Sequence, residues 1–134
     1  MILVDTCVLL DIVTDDPIWS AWSLRQLDMA ALQAKLVVNP VIYAELSVRF
    51  DRIEVLDETL NDARLELAEM PRAALFLAAK VFRRYRAAGG ARTSLLPDFF
   101  IGAHAAVAGW RLLTRDVGRY KTYFPTVALI CPAE

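Results

Sequence analysis

Cysteine and histidine are scarce in this chain of 134 residues, which has two cysteines and one histidine. Cys7 and Cys131 lie near opposite ends of the chain without the CxxC spacing of a zinc site, and His104 alone cannot complete one. We therefore predict no zinc cluster. Both cysteines are interpreted as small buried apolar groups rather than as a disulfide.

Long uninterrupted apolar runs are also missing, although 57% of the residues are hydrophobic. Asp5 and Asp11 interrupt the N-terminal run, and Asp98 interrupts the run that leads to Trp110. A membrane-spanning helix needs about 20 mostly apolar residues. The N-terminus also lacks the basic segment that precedes the apolar core of a signal peptide. We expect a cytoplasmic protein that makes no membrane contact.

An excess of charge of either sign is the third absence, because 15 basic and 16 acidic residues give a formal net charge of -1. A disordered chain would combine low hydrophobicity with a large charge imbalance. A strongly basic nucleic-acid module would carry an excess of lysine and arginine. The composition predicts one globular domain over residues 1–134. It weighs against a nucleic-acid partner unless bound metal ions neutralise part of the acidity.

Short apolar runs alternate with segments of helical spacing along the chain. The runs predict strands at residues 1–4, 36–38, 111–114 and 126–131. The helical spacing, with its capping and stop signals, predicts helices at residues 7–13, 17–34, 41–52, 56–66, 71–88 and 97–108. This alternation is typical of right-handed βαβ units. It predicts an α/β fold in which helices cover both faces of a central parallel sheet.

Four acids fall near the predicted carboxyl ends of strands, where open parallel sheets bind ligands. Asp5 follows the first strand, Glu45 lies in the helix after the second, Asp98 opens its helix, and Asp116 follows the 111–114 strand. Clustered carboxylates repel one another unless a cation neutralises them, and Mg²⁺ and Mn²⁺ prefer oxygen ligands. Such ions activate water for attack on a phosphodiester. The pattern predicts metal-dependent hydrolysis of a nucleic-acid backbone.

Each acid also has a simpler structural explanation. Asp98 could cap its helix, Glu45 could pair with Arg49 four residues on, and Asp116 could be a turn residue. Asp5 is harder to explain in this way, because an acid at the end of an apolar strand is costly to bury unpaired. Phosphatases of the haloacid dehalogenase type need a second Asp two residues after the first, where this chain has a cysteine.

Taken together, four segments resemble a known family: ILVDTCVLLDI, VIYAELSVRF, LLPDFFIGAHAAVAG and LLTRDVGRYKTYFP. They resemble PIN-domain ribonucleases, most closely the VapC-type toxins of bacterial toxin–antitoxin pairs. The resemblance covers nearly the whole chain and places the family's functional positions on the acids Asp5, Glu45, Asp98 and Asp116 and the hydroxyls Thr6 and Thr114. Some members carry a further acid beyond the fourth, where this chain has Gly118 and Arg119. This departure leaves the number of metal ions open.

The resemblance implies a three-layer α/β/α PIN-like fold and an endoribonuclease that uses Mg²⁺, or alternatively Mn²⁺. The four acids would be the metal ligands, and the two threonines would orient ligands or water. It also implies a homodimer and a cognate antitoxin whose C-terminal segment occupies a groove. RNA phosphates would be held by the basic residues Arg49, Arg115, Arg119 and Lys121. The alternative is a catalytically silent PIN-like module that binds RNA or protein.

Two further predictions concern helical residues outside the acid cluster. Trp19 and Trp22 are expected to pack in the core, although they could also line a groove for a partner helix. His104 lies about 240° around the helix from Asp98, so we do not expect it to act as a general base.

Overall fold

The computed structural model describes residues 1–133 and contains one parallel sheet. Its strands are β1 (Ile2–Val4), β2 (Leu36–Val38), β3 (Leu65–Leu67), β4 (Arg111–Leu113) and β5 (Leu129–Ile130). They are arranged in the order β3-β2-β1-β4-β5, and every neighbouring pair is parallel. Because β1 is central and its side chains are buried on both faces, helices must cover the sheet on both sides. The predicted α/β fold is confirmed.

Helices connect the strands. They are α1 (Thr6–Val13), α2 (Ser20–Gln33), α3 (Pro40–Ser47), α4 (Ile53–Asp62), α5 (Arg72–Ala87), α6 (Leu96–Ala108) and α7 (Val117–Tyr123). A short 3₁₀ turn, Thr93–Leu95, leads into α6. Among the described residues, no helix combines the length and the apolar character that crossing a membrane requires.

Helix α6 fixes the position of α7 through a close aromatic contact. A Cβ atom at Gly102 would lie 2.3 Å from the ring of Phe124, so only glycine allows this approach. The ring of Phe124 also contacts that of Phe99, at a centroid distance of 6.2 Å. These contacts hold the start of α6, which carries Asp98, beside the α7 segment that follows Asp116.

The structure corrects the predicted helix at residues 56–66. Helix α4 ends at Asp62, Arg64 adopts a left-handed φ of 59°, and the next three residues form the edge strand β3. The spacing of Leu56, Leu60 and Leu65 fits a helix as well as it fits a helix followed by a short strand. Pairing with β2 decides between them, because a three-residue edge strand carries little periodicity of its own.

Two other helix boundaries differ from the sequence prediction, and one helix was not predicted. Helix α2 begins at Ser20 rather than at residue 17, since the carboxylate of Asp16 caps the preceding turn by accepting hydrogen bonds from the backbone N–H groups of Ile18 and Trp19, each at 2.9 Å. Helix α3 ends at Ser47 rather than at residue 52. Helix α7 was not predicted, because it is a single short element without a clear apolar stripe.

Candidate active site

The first acid lies where β1 and β4 end side by side. Val4 pairs with Leu113 in the sheet, and the backbone N–H of Asp5 donates to the carbonyl of Leu113 at 2.9 Å. This register places Asp5, which follows β1, next to Thr114, which follows β4. The hydroxyl of Thr114 consequently donates to Oδ2 of Asp5 at 2.8 Å.

Asp5 is only 4% exposed, and its carboxylate accepts hydrogen bonds from four groups. Oδ1 accepts from the backbone N–H of Thr6 at 2.8 Å. Oδ2 accepts from Thr114, from the Tyr120 hydroxyl at 3.1 Å and from the Cys7 thiol at 3.6 Å. Burial raises the pKa of Asp5, and the hydrogen bonds only partly oppose that shift. A cation near this carboxylate would favour its charged form.

The second acid, Glu45, reaches the same edge from α3. That helix begins after Asn39, whose side-chain oxygen accepts a hydrogen bond from the backbone N–H of Ile42 at 2.9 Å. The hydroxyl of Thr6 donates to Oε1 of Glu45 at 2.6 Å. Burial raises the pKa of Glu45, and the charge of Asp5 raises it further. Thr6 thus joins the two acids, one through its backbone and the other through its side chain.

The other two acids are joined by an arginine. Nη1 of Arg119 lies 3.2 Å from Oδ2 of Asp116 and also donates to Oδ2 of Asp98. The backbone N–H of Asp116 donates to the Thr114 hydroxyl at 3.0 Å, and that hydroxyl in turn donates to Asp5. The structure therefore brings all four predicted acids to one edge of the sheet, connected through Thr6, Thr114 and Arg119.

The donors of this edge suit a hard divalent ion, since carboxylate and hydroxyl oxygens predominate. Within residues 1–133, however, no three histidine, cysteine, aspartate or glutamate side chains are grouped closely enough to hold an ion. Hydrogen bonds occupy the oxygens of Asp5, and Arg119 draws Asp98 and Asp116 together around its own guanidinium. The residue types fit Mg²⁺ or Mn²⁺, and binding requires these side chains to reorient.

Among the basic residues predicted to contact a substrate, Arg115 has a well-defined place. Its Nε and Nη2 atoms donate to both carboxylate oxygens of Asp11 at 2.8 and 2.9 Å. Asp11 is buried and also accepts from the Ser23 hydroxyl at 2.8 Å, while the guanidinium of Arg115 lies 5.4 Å from the ring of Trp19. Arg115 therefore ties the end of β4 to α1 and α2. Its substrate role stays a prediction.

The other predicted substrate residues differ in their surroundings. Arg119 lies inside the acid cluster, whereas Arg49 and Lys121 are exposed. In the part of the chain that the structure describes, Arg49 does not pair with Glu45, whose carboxylate accepts from Thr6 instead. Contact between these basic residues and a substrate stays a prediction.

A family comparison bears directly on this arrangement. The family model described as PIN domain matches residues 2–125. The chain belongs to the PIN domain family. Members of this family are typically nucleases, and the acids at residues 5, 45, 98 and 116 all lie inside the matched segment. The predicted family is thereby confirmed.

A search of curated proteins gives no match. Solved structures, in contrast, support the PIN fold. The structure of VapBC2 from Rickettsia felis bound to promoter DNA has a TM-score of 0.75 and 19% identity, covering 99% of this chain and 100% of that chain. FitAcB from Neisseria gonorrhoeae gives 0.67 and 21%, covering 97% and 96%. A toxin–antitoxin complex from Klebsiella pneumoniae gives 0.71 and 17%, covering 100% and 99%. At these identities the likeness concerns the fold.

Sequence reasoning missed two residues of this PIN domain's acid cluster. Tyr120 contacts Asp5 across 115 positions of sequence, and its pKa is raised by burial and by the charge of Asp5. Cys7 is partly buried, and burial together with Asp5 raises its pKa to about 12, so the thiol stays protonated and donates. Cys131 is partly buried as well, and the two cysteines are not bonded to each other. The position of Cys7 two residues after Asp5 was the available signal.

His104 belongs to the core of the PIN domain. Its Nδ1 atom lies 3.2 Å from Nδ2 of Asn39, and its ring centroid lies 4.9 Å from that of Trp110. Burial lowers its pKa, which favours the neutral ring. This placement agrees with the prediction that it faces away from Asp98.

Proposed function

We propose that this chain is a divalent-metal-dependent endoribonuclease and the toxin component of a toxin–antitoxin pair, acting in the cytoplasm. The observation that carries the proposal is the linkage of Asp5, Glu45, Asp98 and Asp116 at the carboxyl edge of the sheet of a PIN domain. PIN domains are typically nucleases. A chain without catalysis has no electrostatic reason to keep four acids together.

The four acids would hold Mg²⁺ or Mn²⁺, which supplies an activated water and neutralises charge that develops on the phosphodiester. The protein's own residues set the geometry. Thr6 holds Glu45 against the end of β1, and Thr114 orients Asp5 while it anchors the backbone of Asp116. These hydroxyls keep carboxylates from three different elements aimed at one edge of the sheet, which limits the reorganisation that ion binding requires.

RNA would approach along this edge. The exposed residues Arg49 and Lys121, and the guanidinium of Arg115 that Asp11 holds in place, are suited to contact phosphates on either side of the cleaved bond. Contacts to phosphate position a nucleic acid without reading its sequence. The proposal therefore specifies RNA backbone hydrolysis and leaves base preference to other contacts.

An apolar groove supports the proposed antitoxin partner. Leu24, Leu27, Met29 and Leu32 of α2 line it together with Thr59 and Ala63 from the α4 side, and Leu32 is 89% exposed. Its lining also includes the charged residues Arg25, Asp28, Asp62 and Arg64. Such a groove suits the apolar face of an amphipathic helix. The two tryptophans do not line it, because Trp22 packs on the core and Trp19 lies beneath Arg115. The similar solved structures are themselves toxin–antitoxin complexes.

A second apolar surface supports the proposed homodimer. Leu75 and Phe76 on α5 are 42% and 66% exposed, and they lie outside the groove. Nζ of Lys80 lies 4.9 Å from the centre of the Phe76 ring, so the interface would have to extend beyond these two side chains to reach the area of a stable dimer. A homodimer would bury this part of α5 and leave the groove accessible to a partner.

Cleavage of RNA by the purified, antitoxin-free chain tests the nuclease proposal. Structured RNAs are incubated with Mg²⁺, Mn²⁺ or a chelator, using wild type, Asp5→Asn and Asp98→Asn. We expect metal-dependent cleavage that each substitution reduces by more than about 100-fold. Mutation of a residue that only hydrogen-bonds to a metal ligand already lowers activity or metal affinity by about 10–100-fold. Asp51→Asn, at an exposed aspartate in the turn after α3, is the matched control and should retain activity.

Equal cleavage by wild type and both variants would overturn the site assignment. If no RNA is cut and divalent ions do not raise the melting temperature, the silent binding module is favoured. Two observations support that alternative. Arg119 forms ion pairs with both Asp98 and Asp116, and within residues 1–133 no three possible ligands lie close enough to hold an ion.

A further inference from the structure

Arg119 places a positive charge between two of the four acids. Its Nη1 atom donates to Oδ2 of Asp98 and lies 3.2 Å from Oδ2 of Asp116. The two carboxylates come from different elements, one from the first turn of α6 and the other from the residue before α7. The side chain of Arg119 is 24% exposed, so water screens this charge only partly.

A divalent ion and this guanidinium compete for the same oxygens. Mg²⁺ and Mn²⁺ bind carboxylates directly, and Mg²⁺ does so at about 2.1 Å. An ion shared by Asp98 and Asp116 would therefore stand close to where Nη1 now lies. Two cations at one position repel each other, so the arginine has to leave when an ion enters between these acids.

The fold holds the backbone of Arg119 while leaving its side chain a way out. The next residue, Tyr120, is buried and donates to Asp5, and Phe124 at the end of α7 packs against Gly102 of α6. The Cα of Arg119 is thus fixed beside the acids. Its side chain is partly exposed, so solvent already reaches it, and it can turn outward without unfolding α7.

We propose that Arg119 is a positioning residue that acts as the built-in cation of the metal-free site. It holds Asp98 and Asp116 facing each other, and it lowers the affinity for the divalent ion because the ion must displace it. This inference rests on the proposed function, in which those acids are metal ligands. Arg119 occupies the region in which some family members carry a further acid, and its charge has the opposite effect on ion binding.

The test measures Mn²⁺ binding to the purified chain without RNA, using the electron paramagnetic resonance signal of free Mn²⁺. We expect Arg119→Ala to bind Mn²⁺ about five-fold more tightly than wild type, the upper end of the range for loss of a partly exposed ion pair, because Arg119 pairs with two acids. Arg119→Lys keeps the charge and should stay closer to wild type. In an Asp98→Asn background the gain from Arg119→Ala should be smaller than in wild type, because only one of the two carboxylates for which the ion and the arginine compete then remains charged.

Arg111→Ala is the matched control for a general effect of charge. Arg111 lies at the amino end of β4, away from the acids, and donates to the side chain of Gln33 at 3.1 Å. Its removal changes the net charge by the same amount and should leave Mn²⁺ affinity unchanged within about two-fold, since screening weakens distant charges. Circular dichroism of Arg119→Ala, with Arg119→Gln as a second neutral variant, establishes that the fold is intact.

The inference is overturned if folded Arg119→Ala and Arg119→Gln bind Mn²⁺ no more tightly than wild type. It is also overturned if neither wild type nor these variants bind Mn²⁺ at millimolar concentration, or if Arg111→Ala gives the same gain. RNA cleavage is scored separately. Tighter Mn²⁺ binding without any cleavage contradicts the nuclease proposal alone, whereas cleavage with unchanged Mn²⁺ affinity contradicts only the role of Arg119.

Discussion

Two buried titratable side chains of this protein have opposite surroundings. Asp5 accepts four hydrogen bonds at the end of β1, whereas the buried ring of His104 lies against the side chains of Asn39 and Trp110. The hydrogen bonds to Asp5 favour its charged form, while burial raises its pKa. The surroundings of His104 favour a neutral ring. The neighbours of each side chain therefore distinguish a residue of the candidate site from a residue of the core.

The lowered pKa of His104 predicts how stability depends on pH. The unfolded chain takes up a proton at the imidazole below about pH 6.5, while the folded chain does not until a lower pH. Stability is therefore fully present above pH 6.5 and falls as the pH drops from 6.5 toward the folded pKa. Urea unfolding should show that the free energy of unfolding falls more between pH 7.5 and pH 5.5 for wild type than for His104→Gln.

Because His104 is the chain's only histidine, its ring protons can be followed by NMR without ambiguity. An imidazole titrating at or above pH 6.5 in the folded protein would contradict this prediction. Equal pH dependence of the two variants in urea would do so as well.

At the scale of elements, the packing of α6 on α7 is the contact on which the site depends most. Gly102→Ala places a methyl group 2.3 Å from the ring of Phe124, so the ring or α7 must shift. We expect a loss of about 1–3 kcal/mol in the free energy of unfolding. RNA cleavage should fall as well, because α7 carries Tyr120 and follows Asp116.

Gly118→Ala is the matched control on α7 itself, since a Cβ at that position meets nothing within 4 Å. It should stabilise the helix by up to about 1 kcal/mol through helix propensity. Urea denaturation of both variants checks the pair. If Gly102→Ala were as stable as Gly118→Ala, the proposed dependence of α7 on this contact would be wrong.

Elements with strong local signals were predictable from the sequence. Apolar runs that end at Asp5 and at Asn39 mark β1 and β2, and helix α6 begins within one residue of its predicted start. The missed elements, β3 and α7, are short and owe their conformation to neighbours, β2 for the first and α6 for the second. Local periodicity contains no information about such contacts.

The same distinction applies to the candidate site. The four acids were identifiable because Asp5 and Asp116 come just after strands, Asp98 opens a helix, and Glu45 lies in the helix that follows β2. Their connections were not, because Thr6 meets Glu45 across 39 positions, Thr114 meets Asp5 across 109, and Arg119 meets Asp98 across 21. Sequence placed the carboxylates, and tertiary packing determined which hydroxyl or cation holds each of them.

For the whole molecule, separate surfaces carry the proposed activity and its proposed control. The acids lie at the carboxyl edge of the sheet, whereas the apolar groove lies between α2 and α4. We expect Leu32→Glu to weaken binding of the cognate antitoxin by more than about ten-fold, because a charge would replace an exposed apolar side chain of the groove. Cleavage of RNA by the antitoxin-free variant should remain at the wild-type level.

Val48→Glu is the matched control, because Val48 is 85% exposed, close to the value for Leu32, and lies outside the groove. Isothermal titration of each variant with purified antitoxin compares the affinities. Equal weakening by both substitutions would contradict the groove as the binding surface. A parallel loss of cleavage in Leu32→Glu would contradict the separation of the two surfaces, because the groove and the acid edge would then depend on one another.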